Sequence, residues 1–196
     1  MDLGLNGKVA LVTAGSQGIG LATAHSLARE GALLALCARD ATGLTAAAAA
    51  IEAAHGQPVL VIPCDLADET QIGSMVAAVL ARYGTVHVLV NNAGGSRSFK
   101  DLHVSEEAWN EAITLNFHRP RQLGDALIDQ MIERRWGRII NITGKSEPEH
   151  INGAFCAKAG MHSWAKGLSR MVGKHGITVN CIPPGRIHSE QIFRNY

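Results

Sequence analysis

The sequence predicts a doubly wound parallel α/β sheet, built as a three-layer α/β/α domain. Short β-rich apolar runs alternate with longer helical patterns along the chain. The runs lack period-two polarity, which marks strands covered on both faces. Right-handed crossovers in such a sheet put ligands beyond the carboxyl ends of the strands, and the motifs of this chain fall at those ends. No internal repeat or linker divides the 196 residues, so one domain over residues 1–196 is expected, with a substantial core.

Lys8 to Thr13 reads as the first strand, followed by a glycine turn and a helix from Gly18 to Glu30. Leu33 to Ala38 is the second strand. Thr42 to Ala54 is helical, its alanine run a matter of helix propensity. Pro58 to Cys64 is the third strand, Glu69 to Arg82 a helix, and Val86 to Asn91 the fourth strand. One long helical pattern covers Ser105 to Arg135, with Ser105 as N-cap and Glu106 and Glu107 at the positive dipole end. Arg138 to Thr143 is the fifth strand. A helix from Gly153 to Lys174 ends at His175-Gly176, before a sixth strand from Ile177 to Ile182.

The formal net charge of +1 gives no electrostatic case for nucleic acid or an anionic membrane. No apolar run approaches a bilayer-spanning length, and the first residues lack a signal-peptide layout. Cys37, Cys64, Cys156 and Cys181 lie far apart in apolar segments without metal spacing, so reduced core thiols in a cytoplasmic protein are expected. The histidines form no ligand motif, and no metal site is expected. Asn141-Ile142-Thr143 matches a glycosylation acceptor but falls in a strand pattern, which makes the match a chance one. Trp109, Trp136 and Trp164 sit in helical patterns and read as packing residues.

Thr13-Ala14-Gly15-Ser16-Gln17-Gly18-Ile19-Gly20 joins the first strand to the first helix. Glycines there let the backbone approach a pyrophosphate, and the helix N-terminus offers N–H groups and positive dipole. The second strand ends Cys37-Ala38-Arg39-Asp40. An acidic residue at that end suits the ribose hydroxyls of NAD, whereas an arginine gives a 2′-phosphate a bidentate, charge-assisted contact. Arg39 therefore favours NADP, with NAD as the alternative because Asp40 is adjacent.

The octet resembles the TGxxxGIG motif of the short-chain dehydrogenase/reductase family, with Ala14 in place of the first glycine. Asn91-Asn92-Ala93-Gly94 resembles that family's NNAG, and Cys64-Asp65-Leu66 its adenine-contacting pair. Leu115-Asn116-Phe117 resembles its helix asparagine, and Pro184-Gly185-Arg186-Ile187-His188-Ser189 its PGxxxT segment beside the nicotinamide. Order and spacing run along nearly the whole chain, and the β-ketoacyl-acyl-carrier-protein reductase-like subgroup is the nearest match. The resemblance implies a Rossmann fold. It implies cofactor contacts from Thr13, Gly15, Ser16, Gln17, Gly18, Ile19, Gly20, Arg39, Asp65, Leu66, Asn92, Ala93, Gly94, Lys158, Pro184, Gly185, Ile187 and Ser189.

In that family a tyrosine exchanges a proton with the substrate oxygen and a lysine lowers its pKa and binds the ribose. A serine orients the carbonyl, and an asparagine holds a water relay. In this chain the asparagine role falls on Asn116 and the lysine role on Lys158, the two catalytic residues kept, but the tyrosine position falls on Ala154 and the serine position on Gly144. Only Tyr83 and Tyr196 exist, so no realignment puts a phenol one turn before Lys158. Losing general acid–base catalysis costs on the order of 10²–10⁴ in rate, while the cofactor still carries the hard chemistry. Lys145, Ser146 and His150 are candidate substitute donors, against the plainer reading of a solvated loop. Alternation should point Thr143 to the opposite face, and Cys156 should turn into the core.

The expected function is oxidoreduction of a small-molecule carbonyl or alcohol with a nonstandard proton donor. The alternative is a catalytically weak NAD(P)-binding sensor or assembly subunit. The family's habits imply a homotetramer or homodimer paired through residues 105–135 and 153–174. They also place a mobile lid, a helix and a seventh strand after Ser189, which the sequence through Tyr196 is expected to lack.

Overall fold

The computed structural model describes residues 2–95, 99, 101–144, 150–185 and 187. Six parallel strands form one sheet: β1 (Val9–Thr13), β2 (Leu33–Ala38), β3 (Val59–Pro63), β4 (Val88–Asn91), β5 (Gly137–Ile142) and β6 (Ile177–Ile182). Their spatial order is β3-β2-β1-β4-β5-β6. The helices are α1 (Gly18–Arg29), α2 (Ala41–His55), α3 (Glu69–Tyr83), α4 (Glu106–Ile113), α5 (Arg119–Arg134) and α6 (Gly153–Val172). Strand order reverses between β1 and β4, so the turns leaving these two neighbours open a crevice at the carboxyl edge.

Alternation within single strands explains the three layers. Val9 and Leu11 of β1 join a core with Met75 and Val79 of α3, Leu127 and Met131 of α5, and Ala165 of α6. Ala10 and Val12 join the opposite core with Ala24 and Ala28 of α1 and Leu44 and Ile51 of α2. Both faces are buried, which is why the sequence shows apolar runs in place of alternation. At the carboxyl edge, Asn91 Nδ2 donates to Asn141 Oδ1 at 2.9 Å and ties β4 to β5. Asn141 is therefore a buried strand residue, no glycan acceptor.

The long pattern from Ser105 to Arg135 is divided. Ser105 does cap α4, its side chain accepting from Ala108 N–H. Between α4 and α5, however, Thr114–His118 form a π-helical segment. Pro120 has no N–H to offer the carbonyl four residues earlier, that of Asn116, so the regular ladder is broken at this point. Two side-chain expectations also need correction. Cys156 is exposed, so it is no core thiol. Trp136 lies between α5 and β5, where Lys8 and Arg138 stack on its ring at 4.8 and 4.4 Å to its centroid.

Beside Trp136, Val9 N–H donates to His87 Nδ1 at 3.0 Å, which requires that nitrogen to be unprotonated. Burial above all, then the charges of Lys8 and Arg134, lowers the His87 pKa below the ordinary histidine value. The unfolded chain thus takes up this proton first. The contribution to stability is complete above about pH 6.5 and is lost as pH falls through the folded-state value. His87→Gln keeps an acceptor that does not titrate. Its melting temperature should fall less than the parent's between about pH 7 and pH 5; equal falls in a pH series of thermal melts would contradict the coupling.

Candidate cofactor and reaction site

The first turn is shaped for an anion. Asp40, Asp68, Ser105 and Asn152 cap α2, α3, α4 and α6 with side-chain oxygens, but among the described residues no side chain caps α1. Its first-turn N–H groups therefore face the crevice with the positive end of the dipole. The backbone is forced into an unusual path there: Ala14 has φ 50° and Gly18 φ 56°. A Cβ on Gly20 would lie 2.3 Å from the Ala14 carbonyl oxygen and 2.5 Å from Asn92 Nδ2, so only glycine fits. These features fit a dinucleotide pyrophosphate.

Thr13 joins this turn to the one after β4. Its Oγ1 donates to Val90 O at 3.3 Å and accepts from Asn92 N–H and Ala93 N–H, each at 2.9 Å. Asn92 Nδ2 donates to the carbonyls of Thr13 and Ala14 at 3.0 and 3.1 Å. Thr13, Ala14, Asn92 and Ala93 are thus one hydrogen-bonded unit across the strand-order reversal, with Gly20 packed against it. Gly15 is buried against Leu36, and its N–H donates to Cys37 O at 3.1 Å. Gly18, Ile19 and Ile187 share a groove with Leu3 and Leu5, which brings the segment after β6 beside the start of α1.

Around the rest of the crevice, Arg39 is exposed beyond β2 and makes no hydrogen bond or ion pair among the described residues. Asp40 is committed to the α2 cap, accepting from the N–H groups of Thr42 and Gly43 at 3.1 Å. Asp65 Oδ1 accepts from Ala67 N–H at 2.9 Å, while Leu66 is buried. Sequence reasoning gave no sign of Arg119. This buried residue donates from Nε to Leu66 O and from a terminal nitrogen to Ala67 O, both at 3.0 Å, and meets Glu69 at 3.3 Å. It fixes the loop after β3 from the start of α5, and only the packing of α5 against that loop reveals it.

The second cluster sits at the ends of β4 and β5. Asn116 is buried; its Nδ2 donates to Ala112 O and Gly95 O, and its Oδ1 accepts from Gly95 N–H at 3.3 Å. Lys158 Nζ donates to Thr143 O at 3.4 Å. Gly94 passes between the two: a Cβ on it would meet Asn116 Oδ1 at 2.7 Å and Lys158 Nζ at 3.5 Å. Burial lowers the Lys158 pKa below the ordinary lysine value. Gly144 faces Phe155 and the Lys158 stem, and Ala154 is buried at 2% exposure. Thr143 Oγ1 is buried and has no hydrogen-bond partner among the described residues. His150 is exposed. Pro184 and Gly185 follow β6, whereas Lys145, Ser146 and Ser189 lie outside the described residues. Phe99 and Trp109, edge to face at 5.2 Å, add an aromatic wall beside Gly153.

A family described as short chain dehydrogenase matches residues 8–194. The 3-oxoacyl-[acyl-carrier-protein] reductase of Chlamydia trachomatis is 36% identical over 187 residues, 93% of this chain and 75% of its own. The granaticin polyketide synthase putative ketoacyl reductase 1 of Streptomyces violaceoruber is 38% identical over 191 residues, 95% of this chain and 70% of its own. Among solved structures, L-sorbose reductase from Gluconobacter frateurii, complexed with NADPH and L-sorbose, superposes with a TM-score of 0.95 at 32% identity. That match covers 100% of this chain and 75% of the other.

Proposed function

We propose, from the premise that this chain belongs to the short-chain dehydrogenase/reductase family, that it binds NADP(H) and interconverts a carbonyl compound and its alcohol. The observation that carries the reading is the uncapped, glycine-lined start of α1 joined through Thr13 to Asn92 and Ala93. The turn from Thr13 to Gly20 would hold the pyrophosphate, Asp65 and Leu66 the adenine, Arg39 the 2′-phosphate and Lys158 the nicotinamide ribose. The cofactor supplies hydride chemistry when bound. Asn116, Gly94 and Lys158 then order the site around the reacting oxygen. Asp40, spent on its helix cap, leaves Arg39 as the charged group free to select the phosphate.

Catalysis is atypical in this reading, because Ala154 and Gly144 leave the substrate no hydroxyl from either position. That same pair supports the second reading, a nucleotide-binding protein with little turnover. A carbonyl and alcohol panel followed through nicotinamide absorbance separates them: oxidoreductase activity changes the absorbance with at least one compound, and a sensor changes it with none. Arg39→Ala should weaken NADPH by about 1.5–3 kcal/mol, the worth of a hydrogen bond to a charged group, and leave NADH nearly unchanged. Calorimetry that finds equal losses for the two would remove Arg39 from its role.

A further inference from the structure

The described residues that surround Lys158 bring no tyrosine or serine hydroxyl. Gly94 from the turn after β4, Asn116 from the π-helical segment, Thr143 and Gly144 from the end of β5, and Phe155 from α6 surround it. None of these side chains titrates in the working range of an enzyme. Among the described residues no carboxylate or second cation acts on the ammonium, and burial lowers its pKa. On its own helix the nearest titratable groups are Cys156, which is exposed, and His162, one turn on. The segment 145–149, which brings Lys145, Glu147 and Glu149, lies outside the described residues.

We propose that Lys158 itself gives the proton to the substrate oxygen, in direct contact with it, rather than acting through an intervening hydroxyl. The proposal rests on the oxidoreductase reading above. Ala154, one turn before, and Gly144, whose Cβ position lies 3.7 Å from Lys158 Cδ, put no oxygen between the ammonium and a bound carbonyl. An ammonium has three N–H donors. Thr143 O takes one at 3.4 Å, and two remain, for a ribose hydroxyl and for the substrate. A lysine whose pKa is lowered towards the operating pH gives up its proton more readily than a solvated one.

In the reducing direction the carbonyl carbon would take up a hydride from the cofactor, which would be oxidised in the exchange. As the C=O π bond becomes a C–O single bond, one Nζ–H bond of Lys158 breaks and the O–H bond of the alcohol forms. The neutral amine then recovers its proton from water. In alcohol oxidation the amine receives the hydroxyl proton instead.

Two readouts test this. In the protein without cofactor, carbon-13-labelled lysine Cε resonances are titrated, with Lys158 assigned by its loss in Lys158→Arg. Its midpoint should lie clearly below the ordinary value of about 10.4. With NADPH bound, the single-turnover rate of carbonyl reduction should fall as pH rises through the Lys158 midpoint measured with NADPH bound. Lys158→Arg keeps a positive charge but holds its proton, and should lose on the order of 10²-fold or more in that rate, together with the pH break. Lys158→Met gives the same test should arginine not fit; thermal melts check that each variant is folded, and NADPH is raised to saturation for each. An ordinary lysine titration, or reduction that survives in both variants within about threefold with the same pH break, overturns the proposal alone. NADPH binding with no reduction by the parent on any compound overturns the oxidoreductase reading and this proposal with it.

Discussion

Gly18→Asp should abolish cofactor binding without unfolding the protein. Gly18 sits at φ 56°, a left-handed conformation in which a side chain costs about 1–2 kcal/mol. Aspartate is among the residues that tolerate it best, so most of the stability should survive. Binding is another matter. The carboxylate would enter the uncapped start of α1, where the pyrophosphate is proposed to sit. A carboxylate and a phosphate about 4 Å apart repel by about 4 kcal/mol at an effective dielectric near 20, roughly a thousandfold in affinity. Gly18→Asn has nearly the same shape and no charge, and should retain measurable binding. Calorimetry and thermal melts on both variants check the pair. Equal retention of NADPH binding by the aspartate variant would place the pyrophosphate elsewhere.

The Ala154→Tyr, Gly144→Ser double variant should reduce carbonyl compounds faster than the parent, by at least about tenfold. A positioned acid supplies on the order of 10²–10⁴, part of which Lys158 already contributes. Gly144 is not among the positive-φ residues, so serine can adopt its backbone. Its Cβ would stand 3.0 and 3.2 Å from two Phe155 ring carbons, so that ring has to give by a few tenths of an ångström. Ala154 is the harder position. At 2% exposure it has little open space for a phenol ring, and overpacking costs typically 1–3 kcal/mol. A lower melting temperature alongside a higher single-turnover rate is therefore the expected pattern. A folded, cofactor-binding variant no faster than the parent on every carbonyl tried would show that the positions are misassigned.

Periodic features of the fold were legible in the sequence. Leu33–Ala38 and Ile177–Ile182 form the strands expected from their apolar runs, and Ser105 caps its helix as its position before Glu106 and Glu107 suggests. The π-helical segment at Thr114–His118 was not, because its apolar spacing stays close to that of a regular helix. Pro120 was the available sign, and it marks the carbonyl that loses its donor. Cys156 and Trp136 were misplaced for a shared reason: hydrophobic character does not say which face of α6 turns outward, or where α5 stops. In the site, the glycine turn could be read because a close backbone approach demands glycine. The Thr13, Asn92 and Ala93 hydrogen bonds, and Arg119 holding the loop after β3, join residues far apart in sequence. No local pattern encodes them.

Transfer of deuterium from NADPH carrying deuterium at both nicotinamide C4 positions decides whether this chain is an oxidoreductase. The protein is incubated with the labelled cofactor and a panel of carbonyl compounds, and the alcohols are analysed by mass spectrometry. An oxidoreductase leaves one deuterium on the former carbonyl carbon of at least one alcohol, with one cofactor oxidised per alcohol formed, despite Ala154 and Gly144. Tight NADPH binding with no deuterated alcohol from any compound would contradict the oxidoreductase reading.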